Sequence, residues 1–210
     1  RRVKMARFRP VETGGTGNFG GFMEAQIVDY SDRTEEFDWA DLFIDVTMQV
    51  PTSQYPVIYN LKGSYEKEND GKIKSCTLLN KIYYLLDAIG CKGGPNVNGE
   101  WEDEDGKKID KIDTYLNQNF LADNPLTNEN YPYCVYVYKE WIDSKDKAYT
   151  RVCPKIVMNT EKGMADLKSY VAFLKQKNII KEYNGEARSS LSKETATSQS
   201  SDSSVSSRLF

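Results

Sequence analysis

Residues 39–50 read WADLFIDVTMQV, and their alternation decides the fold. Leu42, Ile44, Val46, Met48 and Val50 fall on one side of an extended chain. Trp39, Asp41, Phe43, Asp45, Thr47 and Gln49 fall on the other. A period of two marks a half-buried strand, because successive side chains leave a pleated backbone on opposite faces. The first set is the core face.

Working outward, Phe22 to Asp29 (FMEAQIVD) reads as an earlier strand, joined by the polar turn YSDRTEE. Pro51-Thr52-Ser53 turns the chain into a third strand, Tyr55 to Tyr65, rich in aromatic and β-branched residues. Pro56 suits only the start or edge of a strand. Then the period changes. Leu78, Leu79, Ile82, Leu85, Leu86 and Ile89 recur at helical spacing, with Ser75 as N-cap and Gly90 as stop, predicting a helix over 76–89. Residues 97–109 read as a polar hairpin or loop around Asp105-Gly106, and 109–120 as a short helix. Strands return at Tyr133 to Trp141 and Ala148 to Met158, with a hairpin signal at 143–146. Glu161 to Lys177 closes as an amphipathic helix, with Met164, Leu167, Val171 and Leu174 on one face.

The expected fold is therefore mainly β, an OB-fold-like β-barrel of order β-β-β-α-β-β with an amphipathic C-terminal helix. An α+β sheet with its helices on one face is the alternative. Three segments are expected: a basic, glycine-rich flexible arm over 1–20, a globular domain over 21–183, and a disordered serine-rich tail over 184–210. Met5-Ala6-Arg7-Phe8 reads as a start, which sets residues 1–4 apart.

Composition removes several function classes. The chain of 210 residues contains no histidine, which excludes Ser-His-Asp and Cys-His catalysis and any His-ligated metal. Cys76, Cys91, Cys134 and Cys153 have no zinc-site spacing and read as buried thiols. No apolar run approaches the roughly 18 residues of a membrane span. The expected location is the cytoplasm, a host's cytoplasm if the protein is viral. No cofactor is expected.

Gly15-Thr16-Gly17-Asn18-Phe19-Gly20 matches G-x-G-x-x-G, but its setting does not support a nucleotide site. A dinucleotide site needs a strand before the glycines and a helix after them, and a strand follows here. No Gly-Lys-Ser/Thr follows either, so the pattern reads as a flexible lead-in to the first strand.

With 14 Tyr, 3 Trp and 8 Phe, aromatic residues fall where alternation should place polar ones. Rings on a sheet face stack bases without reading sequence, and neighbouring cations follow the phosphates. The candidate contacts are Trp39, Phe43, Tyr59, Tyr136, Tyr138 and Tyr149, with Lys62, Lys139, Arg151 and Lys155. Asp41 and Asp45 flank Phe43 and, with the acidic run Glu100, Glu102, Asp103, Glu104 and Asp105, are the candidates for a metal-dependent nuclease. They lack a spaced metal-loop pattern and read first as solvent-facing carboxylates.

The tail ends Val205-Ser206-Ser207-Arg208-Leu209-Phe210. An OB-like core, a serine-rich tail and a terminal Phe together resemble the single-stranded-DNA-binding proteins of bacteria and tailed phages. The opening MARFRPVETGGTGNFGGF and the strand-helix-strand body are similar to early-region proteins of marine tailed phages over about residues 5–183. The resemblance departs at the tail, which in that family is acidic and here sets Glu194 and Asp202 against Lys193 and Arg208. It implies a phage-encoded, non-enzymatic protein that protects or organises single-stranded DNA in replication or recombination, with replication proteins docking on the tail. RNA in place of DNA stays open, as do oligomeric state and partners. The alternative class is a non-catalytic adaptor or a structural component of a virion or replisome.

Overall fold

A computed structural model describes residues 20–51, 53, 55–121 and 131–183. The expected tail, and all but Gly20 of the expected arm with its glycine pattern, lie outside the described residues. The elements run β1 (Gly21–Asp32), β2 (Leu42–Gln49), β3 (Val57–Gly63), α1 (Thr77–Ile89), β4 (Gly94–Pro95), β5 (Trp101–Glu102), α2 (Ile112–Phe120), β6 (Tyr133–Ile142), β7 (Lys147–Val152), β8 (Val157–Met158) and α3 (Glu161–Gln176). The protein is mainly β: the described residues form a six-stranded antiparallel sheet in the order β3-β2-β1-β6-β7, with β8 added to β6, a two-stranded β4–β5 ladder and three α-helices.

The period of two in β2 is realised. Leu42, Ile44, Val46, Met48 and Val50 are buried, and they meet Val57, Tyr59 and Leu61 of β3 and Ala25 and Ile27 of β1 in the main core. Helix α1 lays Leu78, Ile82, Leu85, Leu86 and Ile89 over that layer. Each such side chain removed from water stabilises the fold by about 1.5–3 kcal/mol before entropy is counted. The helix starts one residue later than the sequence suggests. Cys76 caps it, its sulfur accepting from the Leu79 N–H at 3.5 Å. Gly90 ends it in the left-handed region at φ 71°.

One strand expectation is corrected. The strand expected over 148–158 is two strands, because β7 stops at Val152 and β8 begins at Val157. Pro154 lies between them and has no N–H for a ladder. The hairpin or loop expected over 97–109 is present: Glu102 pairs with Lys108 across a turn closed by Asp103, whose Oδ1 accepts from the Asp105 and Lys107 amides, and β5 also pairs with β4 just before this stretch.

The position of α3 matters most for function. β6 presents Tyr133, Val135 and Val137 to the main core. Its other face presents Cys134 and Tyr136 to a second core with Leu167, Val171, Leu174 and Ile180. β6 is thus covered on both sides, while β2 is met by the short turn at Thr34–Glu36. At the two ends of the sheet, β3 and β7 approach one another without a ladder between them. The Tyr59 hydroxyl donates across this gap to the Pro154 carbonyl at 2.8 Å. All four cysteines are buried and free of disulfides. No described helix is long and apolar enough to cross a membrane.

Candidate nucleic-acid interface

The β1–β2 connection is a tight turn (Thr34–Glu36) that folds back over the outer face of β2. Asp32 fixes its start, accepting from the Thr34 amide at 2.9 Å and the Thr34 hydroxyl at 2.6 Å. Thr34 in turn accepts from the Phe43 amide at 2.9 Å, tying the turn to the strand. The result places three rings together. Phe37 stacks on Phe43 with centroids 4.2 Å apart and planes 15° off parallel. Trp39 meets Phe43 edge-on at 6.1 Å and Phe37 at 6.0 Å. Trp39 is 56% exposed, whereas Phe43, beneath the others, is 6% exposed.

Two cations border the rings. The Lys62 ammonium lies 5.1 Å from the Phe43 centroid, within cation–π range. The Arg33 guanidinium lies 5.3 Å from Phe37 and 5.5 Å from Phe43. Arg33 also donates to Glu36 and, at 3.0 Å, to Asp45. Hydrogen bonds from Arg33 hold the Glu36 carboxyl below its usual range. Asp45 additionally accepts from the Asn60 amide at 2.5 Å, and Asp41 accepts from the Tyr65 N–H at 2.8 Å. Both carboxylates therefore act as local braces. Among the described residues no group of three His, Cys, Asp or Glu side chains is placed to hold a metal ion.

The remaining predicted contacts do not join this cluster. Tyr59 was expected on the outer face and is instead in the main core at 2% exposure, leaving no ring face for a base. Its side of β3 is the side of Val57 and Leu61. Tyr136 was expected outside and is 5% exposed under α3. Its hydroxyl donates to Glu182 and accepts from the Lys175 ammonium at 2.7 Å. Tyr138 stacks beside it at 6.2 Å, and burial pushes its hydroxyl up to about 12. Lys139 has no carboxylate partner among the described residues, and its carbonyl accepts from the Tyr183 N–H at 2.8 Å.

Tyr149 and Arg151 lie together on β7. The Lys145, Lys147 and Arg151 cations sit 5.8, 6.0 and 5.8 Å from the Tyr149 ring, and Arg151 is paired with Glu140 at 2.9 Å. Lys155 is enclosed elsewhere, between the Tyr84 and Tyr170 rings and bonded to Asp166 at 2.6 Å.

Sequence reasoning missed Arg33 and Phe37. The signal was present: YSDRTEEFDW is short enough to fold back on β2 and carries both a ring and a guanidinium. No protein-family model matches the chain, and neither a curated protein nor a solved structure is significantly similar to it.

Proposed function

We propose that the protein binds single-stranded DNA on the outer face of β2 and β3, as a non-enzymatic component of replication or recombination. One observation carries the reading: an exposed Trp39 ring backed by the Phe37–Phe43 stack, with Lys62 and Arg33 at its border. A rigid ring beside cations suits a base and its phosphate. Such stacking contributes about 1–3 kcal/mol per base whatever the base is. Because Phe37 and Phe43 cover one another, Trp39 is the ring that receives a base first.

The strand neighbours support an OB-like reading of the fold. Counting only the five long strands, the third, second, first, fourth and fifth are adjacent in that order. The helix lies between the third and fourth, and the fifth approaches the third. In such barrels the second and third strands and the loop before them are the usual nucleic-acid surface.

Fluorescence titration with oligo(dT) tests the proposal. The expected result is quenching of Trp39 at low salt, with affinity falling as salt rises because bound phosphates displace counterions. Unchanged emission and no retardation of the oligonucleotide at low salt would overturn it. A stoichiometric protein partner recovered on the Trp39 face, with no oligonucleotide binding, would replace it with the adaptor reading.

A further inference from the structure

Arg33 is held by two carboxylates of unlike kind. On one side its Nη1 donates to the Asp45 Oδ2 at 3.0 Å. Asp45 is itself braced, because its Oδ1 accepts from the Asn60 amide, and its side chain is only 17% exposed. On the other side, the Nε–Nη2 edge of the guanidinium faces Glu36. Nε lies 3.1 and 3.0 Å from the two carboxylate oxygens, and Nη2 donates to one of them at 2.6 Å. The Glu36 side chain is 56% exposed. The turn itself brings the pair together, since the Glu36 N–H donates to the Arg33 carbonyl at 3.0 Å.

One carboxylate neutralises one guanidinium, and Asp45 supplies it. Glu36 therefore adds negative charge in excess of what Arg33 carries. Water reaches the Glu36 contact far more than the Asp45 contact, so Glu36 is the partner that can be exchanged. The edge it occupies is a planar fork of N–H donors, which fits two oxygens of a phosphate as well as two of a carboxylate. That fork lies on the border of the ring cluster. The guanidinium carbon is 5.3 Å from the Phe37 centroid and 5.5 Å from Phe43, the same two rings that Trp39 meets at 6.0 and 6.1 Å.

We infer that the Nε–Nη2 edge of Arg33 is the seat for the phosphodiester next to the base on Trp39, and that Glu36 fills this seat until the strand displaces it. The inference rests on the single-strand reading above and adds which cation takes the phosphate and which group competes for it. Asp45 keeps its bond throughout and holds the guanidinium beside Phe37 and Phe43 while carboxylate is exchanged for phosphate. The ligand must break the Glu36 contact before it gains the Arg33 contact, so Glu36 sets a ceiling on affinity.

The test measures oligo(dT) affinity across a salt series for four forms of the full chain: wild type, Glu36→Gln, Glu35→Gln, and Arg33→Gln combined with Glu36→Gln. Melting temperatures without DNA show that each form is folded. Glu35 is exposed, lies in the same turn and makes no ion pair among the described residues, so its variant removes the same charge without freeing Arg33. For Glu36→Gln the expected result is binding about three- to ten-fold tighter at low salt. Its slope of log K against log salt is steeper by up to about one unit, because a freed cation meets a phosphate without a carboxylate being displaced. Glu35→Gln changes affinity less than two-fold by the same measure. The double variant binds no more tightly than wild type, because the gain passes through Arg33.

If wild type binds and Glu36→Gln gains no more than Glu35→Gln, the seat is wrong and the single-strand reading survives. A double variant that keeps the whole gain of Glu36→Gln overturns the seat as well, since loss of charge alone then explains it. If neither wild type nor Glu36→Gln binds at low salt, the underlying reading falls and takes the seat with it.

Discussion

Two parts of this molecule look alike in sequence and differ in what covers them. Around Phe43, rings from β2 and its preceding turn gather with a lysine 5.1 Å from a ring. Around Tyr136, rings from β6 gather with Lys175 at 4.9 Å. Both clusters lie on the side of their strand away from the main core. The difference is α3. It lays Leu167, Val171 and Leu174 over the β6 cluster, and the chain after it adds Ile180. At β2 a short turn packs on Phe43 and leaves Trp39 half in water. Strand alternation assigns a side chain to a face; a helix elsewhere in the chain decides whether that face meets solvent.

The comparison can be broken by substitution. The largest effect is expected at Tyr59, which belongs to neither cluster. Tyr59→Ala leaves a cavity at the base of β3 and removes the bond to Pro154, costing about 3–5 kcal/mol in chemical denaturation. Little change would mean that the two ends of the sheet are not joined through this residue.

Next comes Trp39→Ala. It is expected to lower oligo(dT) affinity about ten-fold or more, within the range for one stacked base. Stability is expected to change by less than about 1 kcal/mol, because the ring is largely in solvent. Tyr136→Phe is expected to behave in the opposite way. It keeps the ring but removes the hydroxyl held between Lys175 and Glu182, losing about 1–2 kcal/mol of stability with oligo(dT) affinity unchanged. Weakened binding in Tyr136→Phe would merge the two clusters into one surface.

The smallest effect concerns acid. Partial burial tends to raise the Glu182 carboxyl, but the bonds from Tyr136 and Lys175 outweigh it and hold the group below its ordinary value of 4.5. A carboxyl lowered on folding stabilises the fold above its unfolded pKa, and that contribution disappears as pH falls through the folded value. Acidification below about pH 4.5 therefore loosens the contact between β6 and the chain after α3. In Glu182→Gln this part of the acid response of the melting temperature should be absent. Identical profiles for wild type and variant would remove Glu182 from the account.

Much of this was legible in the sequence, and the failures share a cause. The strands, α1 and α3 follow from periods of two and 3.6, which local chemistry sets. Tyr59 was misplaced although Tyr55, Val57, Tyr59, Leu61 and Tyr65 fall on one side of that strand and Asn60, Lys62 and Ser64 on the other, an alternation that marks the Tyr59 side as core. Tyr136 was misplaced for a related reason. YCVYVY carries no polar face at all, and that is the mark of a strand covered on both sides. Reading it as half-exposed set aside the one local hint that α3 returns over β6. Of the candidate site, Trp39, Phe43 and Lys62 come together. Tyr149 and Arg151 form a separate group on β7, and Lys155 is enclosed by two helices. Which outward residues become neighbours depends on strand order and turn geometry, and neither is encoded in spacing along one strand.

The central claim is that the uncovered cluster, and not the covered one, meets single-stranded DNA. The most direct test measures oligo(dT) affinity side by side, in one low-salt buffer, for wild type, Trp39→Ala and Tyr136→Phe. The account predicts wild-type binding, a loss of about ten-fold or more in Trp39→Ala and none in Tyr136→Phe. Equal affinity in Trp39→Ala and wild type would contradict it.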